Sequence, residues 1–443
     1  MNENGVKSWI NKINISNKLS VKPIKIGMCE GWQRNNGEIV HKTGHFFKIK
    51  GVSVKSVYTD WNNNQYIFID QPEVGILSII IRSTQTGIIE WLLQAKSEPG
   101  TVNGTQIAPT VQATMSNYLQ IHKGQETFYL NTVLSDKNVV SDAPHSEQGT
   151  RFLWKFNRNK VIALDKDCQA TGLLADHFKW VNSQDLRDLL GQDYFINTDA
   201  RSVIATTDWA FLTTKGESLF RSNCMKQSYA FRPNNDCIRL LDRFKKKRKL
   251  RWDFVPLNQM EGFGLDEYGV FNKVDQRRHL GFYNINCFNR EVNSWCQPLI
   301  IDEVLKESIL LMRIHKGRAE FWIRLSWEVG FGNRTEFGPS YQSVVNDNLD
   351  IDSILSDTKS TELVSIKQSD EGSRFNDVIM NYRVVLVSSQ QIAKKPKLGV
   401  IGIWVTLSIL QMLCYRAGTV NNELRTIVSL LLSNSMDQAT EGL

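Results

Sequence analysis

No two cysteines stand as a CxxC pair in these 443 residues, and the seven present are scattered and odd in number. That usage argues against a zinc site or a disulfide framework and fits a reducing compartment. Long apolar runs are also missing. The longest, Leu398 to Cys414, is broken by Thr406, Ser408 and Gln411; it is too short and too polar to span a bilayer and reads as a buried or dimer-facing helix. Met1 to Lys7 shows no apolar stretch of the kind a secretory leader needs, so a cytoplasmic protein is expected. A strong charge of either sign is absent. The net charge of +7 suits an anionic small ligand and falls short of what nucleic acid demands. The basic run Arg243 to Lys249 reads as a solvated linker face. No Ser-His-Asp order stands out, so no hydroxyl nucleophile is proposed.

What is present is ordinary globular composition, 41% hydrophobic and 22% charged, with length for two cores. The twelve tryptophans suggest stacking surfaces as well as core. One stretch is unusually polar. It runs from Gln94-Ala-Lys-Ser-Glu-Pro-Gly100 through Pro109-Thr-Val-Gln-Ala-Thr114 to Ser116-Asn-Tyr118 and His122. An apolar strand-like run, Ile88 to Leu93, precedes it. Polar groups packed against apolar strands must find partners, so they line a site or knit a network. Gln94, Thr110, Gln112, Ser116 and Asn117 are candidates on that ground.

The pattern returns. Glu98, Pro109 and Gln112 match Glu328, Pro339 and Gln342, each 230 positions on. Ser146-Glu-Gln-Gly149 with Arg151-Phe152 matches Ser369-Asp-Glu-Gly372 with Arg374-Phe375, 223 on, while Trp180, Asn197 and Arg201 match Trp404, Asn421 and Arg425, 224 on. A duplicated unit follows, each copy mostly antiparallel sheet and then two helices, an α+β order. The expected division is residues 1–225 as first repeat, 226–255 as basic linker and 256–443 as second repeat. Within the first copy, residues 1–25 read as a helical lead-in. Period-2 alternation marks a strand at His45 to Lys50, and Tyr66 to Ile69 and Val74 to Ile81 read as further strands. Ser135 to Ser141 reads as a polar connection. A helix over Ser183 to Leu190 with Ser183 as N-cap is expected, and another beginning near Asn197.

The runs Gln94 to Gly100, Pro109 to Thr114, Ser116 to Tyr118, Ser146 to Gly149 and Asn157-Arg-Asn159 resemble those of the NDP-hexose 2,3-dehydratases, over nearly the whole chain. The resemblance implies tandem Nudix-like domains, a homodimer, a nucleotide-sugar pocket in each half and no metal in the chemistry. It implies loss of water across C2 and C3 of a nucleotide-linked 4-keto-6-deoxyhexose, commonly dTDP-linked, giving a 3,4-diketo-2,6-dideoxy sugar. A downstream 3-ketoreductase is the partner that would take up such a product. The hydrolytic Nudix signature is not found, which argues against pyrophosphate cleavage. The second half departs from the family pattern at Phe331 to Arg334, Glu336 and Ser340-Tyr341, so its pocket is expected to be altered or empty.

Such an elimination needs a base for the C3 proton, a donor or cation for the C4 enolate oxygen and an acid for the departing C2 hydroxyl. The enol then tautomerises, and no cofactor is required. Glu98 and Glu147 are the base candidates. Lys96 sits two residues from Glu98 on an extended run, hence on the same face, where it could steady the enolate or the pyrophosphate. Tyr118 and His122 are the candidate acids. Arg151, Lys155, Arg158 and Arg201 are the natural diphosphate partners, with Asn157 beside them. Trp32 and Trp61 are available to stack on the base. The blander alternatives are a fold role for Glu98, for example as partner of Arg151, a backbone-bonding role for Gln112, a turn or network role for Asn157, and packing for Arg201 and Trp32. At the matching positions the second half has Ser326 for Lys96, so the first half is expected to be catalytic and the second auxiliary. The runner-up function is a non-catalytic nucleotide-sugar-binding protein.

Overall fold

The segment Gly75–Ser83 reads GILSIIIRS and is buried on both faces along most of its length, the pattern of a strand with neighbours on every side. It lies at the centre of a seven-stranded sheet. Ile89–Ser97 pairs with it antiparallel and Phe156–Ala163 pairs with it parallel. Val111–Ala113 also pairs with it, while Thr105–Ala108 and Phe178–Asn182 pair with Ile89–Ser97, and Val139–Ser146 closes the far edge. The structure, a computed structural model, describes residues 3–56, 64–115, 127–135, 137–164, 175–212, 236–247, 250–288, 290, 292–302, 304–331, 334–343, 351–356, 360–388 and 401–441.

The second half builds the same sheet in the same order. Lys306–His315 takes the central place, Arg318–Ser326 and Ile379–Leu386 flank it, and Thr361–Ser369 closes the edge. Each half adds a six-stranded sheet that is again equivalent in order. The molecule is thus a mixed α+β chain, mostly sheet, and among the described residues each of four sheets has one parallel pair. Even surface detail repeats. The Arg82 guanidinium lies 4.1 Å from the Trp180 ring, and that of Arg313 lies 4.1 Å from Trp404.

The halves trade strands. Ser20–Ile24, which precedes the first unit, pairs with Arg278–Asn286 of the second. Leu250–Val255, which precedes the second unit, pairs with Lys48–Ser56 of the first. The stretch expected as a plain basic linker therefore contains a helix, Asp236–Lys247, and a strand that belongs to the first unit's sheet. Cys237 and Leu241 anchor that helix in the main core, so the run beginning at Arg243 is helical as far as Lys247.

Between the large sheets run two wholly buried helices, Thr198–Ala205 and Asn422–Leu431. Asn197 and Asn421 cap them by accepting from the N–H of Ala200 and Leu424. The N-terminal helix Glu3–Asn17 buries Val6, Trp9, Ile10 and Ile13, a 3-4 spacing that places one apolar stripe inward. Three local expectations are corrected. The cap of helix Ser183–Leu190 is Asn182, one residue early, because its side chain reaches the Asp185 N–H. The polar Ser135 to Ser141 region turns into edge strand at Val139, where partners on one side suffice. The apolar run near residue 410 is helical only over Leu407–Tyr415, since Gly402–Thr406 is drawn into the sheet beside Arg318–Ser326. No helix among the described residues is long and apolar enough to cross a membrane.

The repeats interlock at matched glycines. A Cβ at Gly100 (φ +84°) would lie 1.8 Å from the Phe375 carbonyl oxygen, and one at Gly330 would lie 1.8 Å from that of Phe152. Their own carbonyls accept from the Asp377 and Trp154 N–H groups, both at 2.9 Å. Gly100→Ala and Gly330→Ala are each expected to destabilise by roughly 1–3 kcal/mol, read by denaturant unfolding. Gly27→Ala, where the added methyl meets nothing within 4 Å, should stay within about 0.5 kcal/mol of the parent.

Candidate active site

Strand alternation turns Leu93 and Ala95 into the main core and leaves Gln94 and Lys96 on the other face. There they line a cavity of about 510 Å³, within the range of small-ligand sites. Thr110 and Gln112 share that wall. Facing them are Lys12, Ile13, Ser16 and Asn17 of the N-terminal helix, the pair Thr127–Phe128, and Asp176–His177–Phe178. Among the described residues, Arg290 and Asn293 add to the lining from the second repeat, with Ala95 and Ser97 from the first. Phe128, His177 and Phe178 form one aromatic group, with ring centroids 4.5 to 5.7 Å apart.

Behind the wall stands Glu98, only 4% exposed. Lys96 Nζ lies 3.3 Å from its Oε1 and also donates to the Gln112 carbonyl at 3.3 Å. Gln112 Nε2 donates to Glu98 at 3.2 Å, and Asn197 Nδ2 donates to Gln112 Oε1 at 3.1 Å. The amide side chains thus fix one another and the carboxylate. Thr110 accepts from the Ile80 N–H and donates to the Leu92 carbonyl, which pins the adjoining strands.

The second repeat holds the same frame. Gln342 donates to Glu328 at 3.1 Å, Asn421 donates to Glu328 at 2.7 Å and to Gln342 at 3.1 Å. Ser340 repeats the Thr110 contacts, from the Leu311 N–H and to the Trp322 carbonyl. The difference is the neighbour. Where the first repeat sets Lys96 against its glutamate, the second sets the Ser326 hydroxyl, 3.3 Å from Glu328 Oε1. Burial pushes the Glu328 carboxyl above its ordinary range.

Other residues named from the sequence lie elsewhere. Glu147 is 4% exposed between the repeats, where Asn157 and Asn422 donate to its two oxygens at 2.7 and 3.0 Å. Burial raises its pKa. Asn157 Oδ1 also accepts from the Gly75 N–H. Lys155 is buried and donates to the Glu73 carbonyl at 2.6 Å; burial lowers its pKa. Arg151 pairs with Asp302 at 2.7 Å, not with Glu98. Arg158 pairs with Asp142 along the outer strands. Arg201 is fully buried and donates to the Ile196 and Leu190 carbonyls, Gln368 and Ser429. Trp32 packs in a separate core and donates to the Cys296 carbonyl at 2.8 Å. None of these lines the cavity. Trp61, Ser116, Asn117, Tyr118 and His122 fall outside the described residues. His177, Lys12 and Arg290 also line the cavity, with no local sequence signal to mark them. Asp176-His177-Phe178 carries no motif, and the other two reach the cavity only through the helix packing and the inter-repeat contact.

A second feature lies at the junction of the repeats. Gly372 packs against Glu98, and Gly149 packs against Glu328. Beside Gly372, Glu371 has one buried carboxylate oxygen with no hydrogen-bond partner among the described residues. Burial, reinforced by Glu147, raises its pKa to about 8.

The family model described as NDP-hexose 2,3-dehydratase matches residues 3–207 and again 234–431. The chain belongs to the NDP-hexose 2,3-dehydratase family. Three curated relatives share that name in its specific form, dTDP-4-dehydro-6-deoxy-alpha-D-glucopyranose 2,3-dehydratase. The protein of Saccharopolyspora spinosa is 28% identical over 89% of this chain and 84% of its own. That of Streptomyces violaceoruber is 27% identical over 86% and 87%, and that of Amycolatopsis orientalis 27% identical over 97% and 90%. A solved structure, the crystal structure of an ADP compounds hydrolase, matches 36% of this chain and 86% of its own at 15% identity, with a TM-score of 0.22, too low to argue from. As a dehydratase family member, the chain has its two family segments on the two repeats described above.

Between about pH 4.5 and about pH 8 the Glu371 carboxyl holds its proton in the folded state while the unfolded chain has lost it. Its contribution to stability is therefore complete below about pH 4.5 and is lost as pH rises towards about 8. Denaturant unfolding at pH 5 and pH 8 should show the Glu371→Gln variant losing less stability over that interval than the parent.

Proposed function

We propose that this dehydratase acts on a dTDP-linked 4-keto-6-deoxyglucose, removing the C2 hydroxyl and the C3 proton to leave a 3,4-diketo-2,6-dideoxy sugar. The observation that carries the reading is the Lys96–Glu98 pair, set against a cavity in the first repeat and replaced by Ser326–Glu328 in the second. The ketone makes the C3 proton acidic, and the negative charge of the resulting enolate collects on O4. An ammonium on the wall stabilises that charge. Lys96 takes this role, and Glu98 behind it is the base. Catalytic contacts tighten in the substrate complex, so a carboxylate one side chain from the wall is within reach of the part. A polar wall of Gln94 and Gln112 is suited to ring hydroxyls, and the aromatic group around His177 to the thymine.

Further assignments follow the sequence resemblance. Each repeat is proposed to be Nudix-like, the chain to work as a cytoplasmic homodimer, and a 3-ketoreductase to take up the diketo product. The second repeat is proposed to serve as support without turnover of its own. Tyr118 and His122 stay as the candidate acids for the leaving hydroxyl.

Incubating the purified chain with dTDP-4-keto-6-deoxyglucose should yield a product lighter by one water; unchanged substrate would overturn the reading. Lys96→Ala and Glu98→Gln should each lower kcat by about 10²- to 10⁴-fold. Glu328→Gln, the matched change in the second repeat, should leave kcat of the folded protein within about threefold of the parent. Equal losses from Glu98→Gln and Glu328→Gln would refute the division of labour.

A further inference from the structure

The four cations that the sequence offered for the diphosphate are all engaged away from the cavity. The cations that do line it, among the described residues, are Lys12, Lys96 and Arg290. Lys12 stands at the exposed rim, 3.9 Å from Asp176, and a pair so open to water contributes little. Lys96 is held by Glu98. Arg290 differs from both in origin. It comes from the second repeat, on the connection between the strands Arg278–Asn286 and Ser294–Ile301.

That connection is docked onto the first repeat at the cavity edge. The Phe288 N–H donates to the Asn17 carbonyl at 2.8 Å, and Asn17 Nδ2 donates to Ser97 Oγ at 2.9 Å. Arg290 Nη1 donates to the Ser97 carbonyl at 2.5 Å, and its guanidinium lies 5.6 Å from the centre of the Trp295 ring. Ser97 is the residue between Lys96 and Glu98. The guanidinium is therefore tied to the strand that carries the reacting pair. A guanidinium has five N–H donors in a planar fork, a shape that matches paired phosphate oxygens.

We propose that Arg290 is a substrate-binding residue for the diphosphate of the nucleotide sugar, supplied to the first repeat's cavity by the second repeat. The assignment rests on the dehydratase reading of that cavity and adds the anion-binding group that reading needs. It also gives the second repeat a part in the reaction that does not depend on any pocket of its own: it completes its partner's site. Anchoring by the Ser97 carbonyl holds the diphosphate end at a fixed distance from Lys96. The hexose is thereby set beside the Lys96–Glu98 pair.

The test uses the full chain and three probes: dTDP, thymidine and the keto sugar nucleotide. Arg290→Ala should weaken dTDP binding by about 10- to 100-fold, the range for a hydrogen-bonded charged group. Thymidine affinity should stay within about twofold, and the salt dependence of dTDP binding should become shallower. Arg290→Lys should recover part of the loss, because it restores charge without the fork. With the keto sugar nucleotide, KM should rise more than kcat falls. Unchanged dTDP affinity in a folded Arg290→Ala variant would overturn the proposal. So would equal loss of dTDP and thymidine, which marks Arg290 as structural. Failure of the parent chain to eliminate water while it still binds dTDP through Arg290 would instead sink the dehydratase reading and leave the anion site standing.

Discussion

A carboxylate removed from water must have its hydrogen bonds supplied, or it costs several kcal/mol. Glu98 meets that requirement on both oxygens; Glu328 meets it on Oε1, while its buried Oε2 has no hydrogen-bond partner among the described residues. A glutamine two strands away and the asparagine that caps a buried helix form one bonded set around each. A glycine of the opposite repeat closes over each one. The frame needs two buried helices, four sheets and both repeats in register. The traded strands Ser20–Ile24 and Leu250–Val255 hold that register. Arg151 on Asp302 and Arg374 on Gln71 tie the six-stranded sheets across the same junction.

In the proposed division of labour, function turns on a small difference within a shared frame. Both copies hold a glutamate, so the glutamate alone does not distinguish them. A lysine beside it, facing a cavity, distinguishes the first copy; a serine hydroxyl takes that place in the second. The second copy's buried polar groups still serve the whole, since Asn422 bonds Glu147 and Gln148 bonds Asp370 across the junction. A duplicated chain of this kind can lose chemistry from one copy and keep the fold, because the amide network survives the exchange of lysine for serine.

The duplication was legible in the sequence because the network residues themselves repeat: Glu98, Gln112 and Asn197 with Glu328, Gln342 and Asn421. The wall residues Gln94, Lys96, Thr110 and Gln112 were legible because they fall in one unusually polar stretch behind an apolar strand. The interdigitation was not. Nothing in Leu250–Val255 announces that its hydrogen bonds go to Lys48–Ser56, as pairing partners are a property of the folded pair of repeats. Arg201 looked like a phosphate ligand because a buried guanidinium and a ligand-binding one have the same letter. Its partners are carbonyls and side chains that only the fold assembles. Arg290, 193 positions from Ser97, has no local signal at all.

The division of labour between copies is tested most directly by a crystal structure of the intact chain with a dTDP-linked 6-deoxyhexose that lacks the 4-keto group and so cannot eliminate. The expected result is a sugar ring in the first repeat's cavity, with C2 and C3 beside Lys96 and Glu98. A ring bound beside Ser326 and Glu328, with the Lys96 cavity empty, would contradict it.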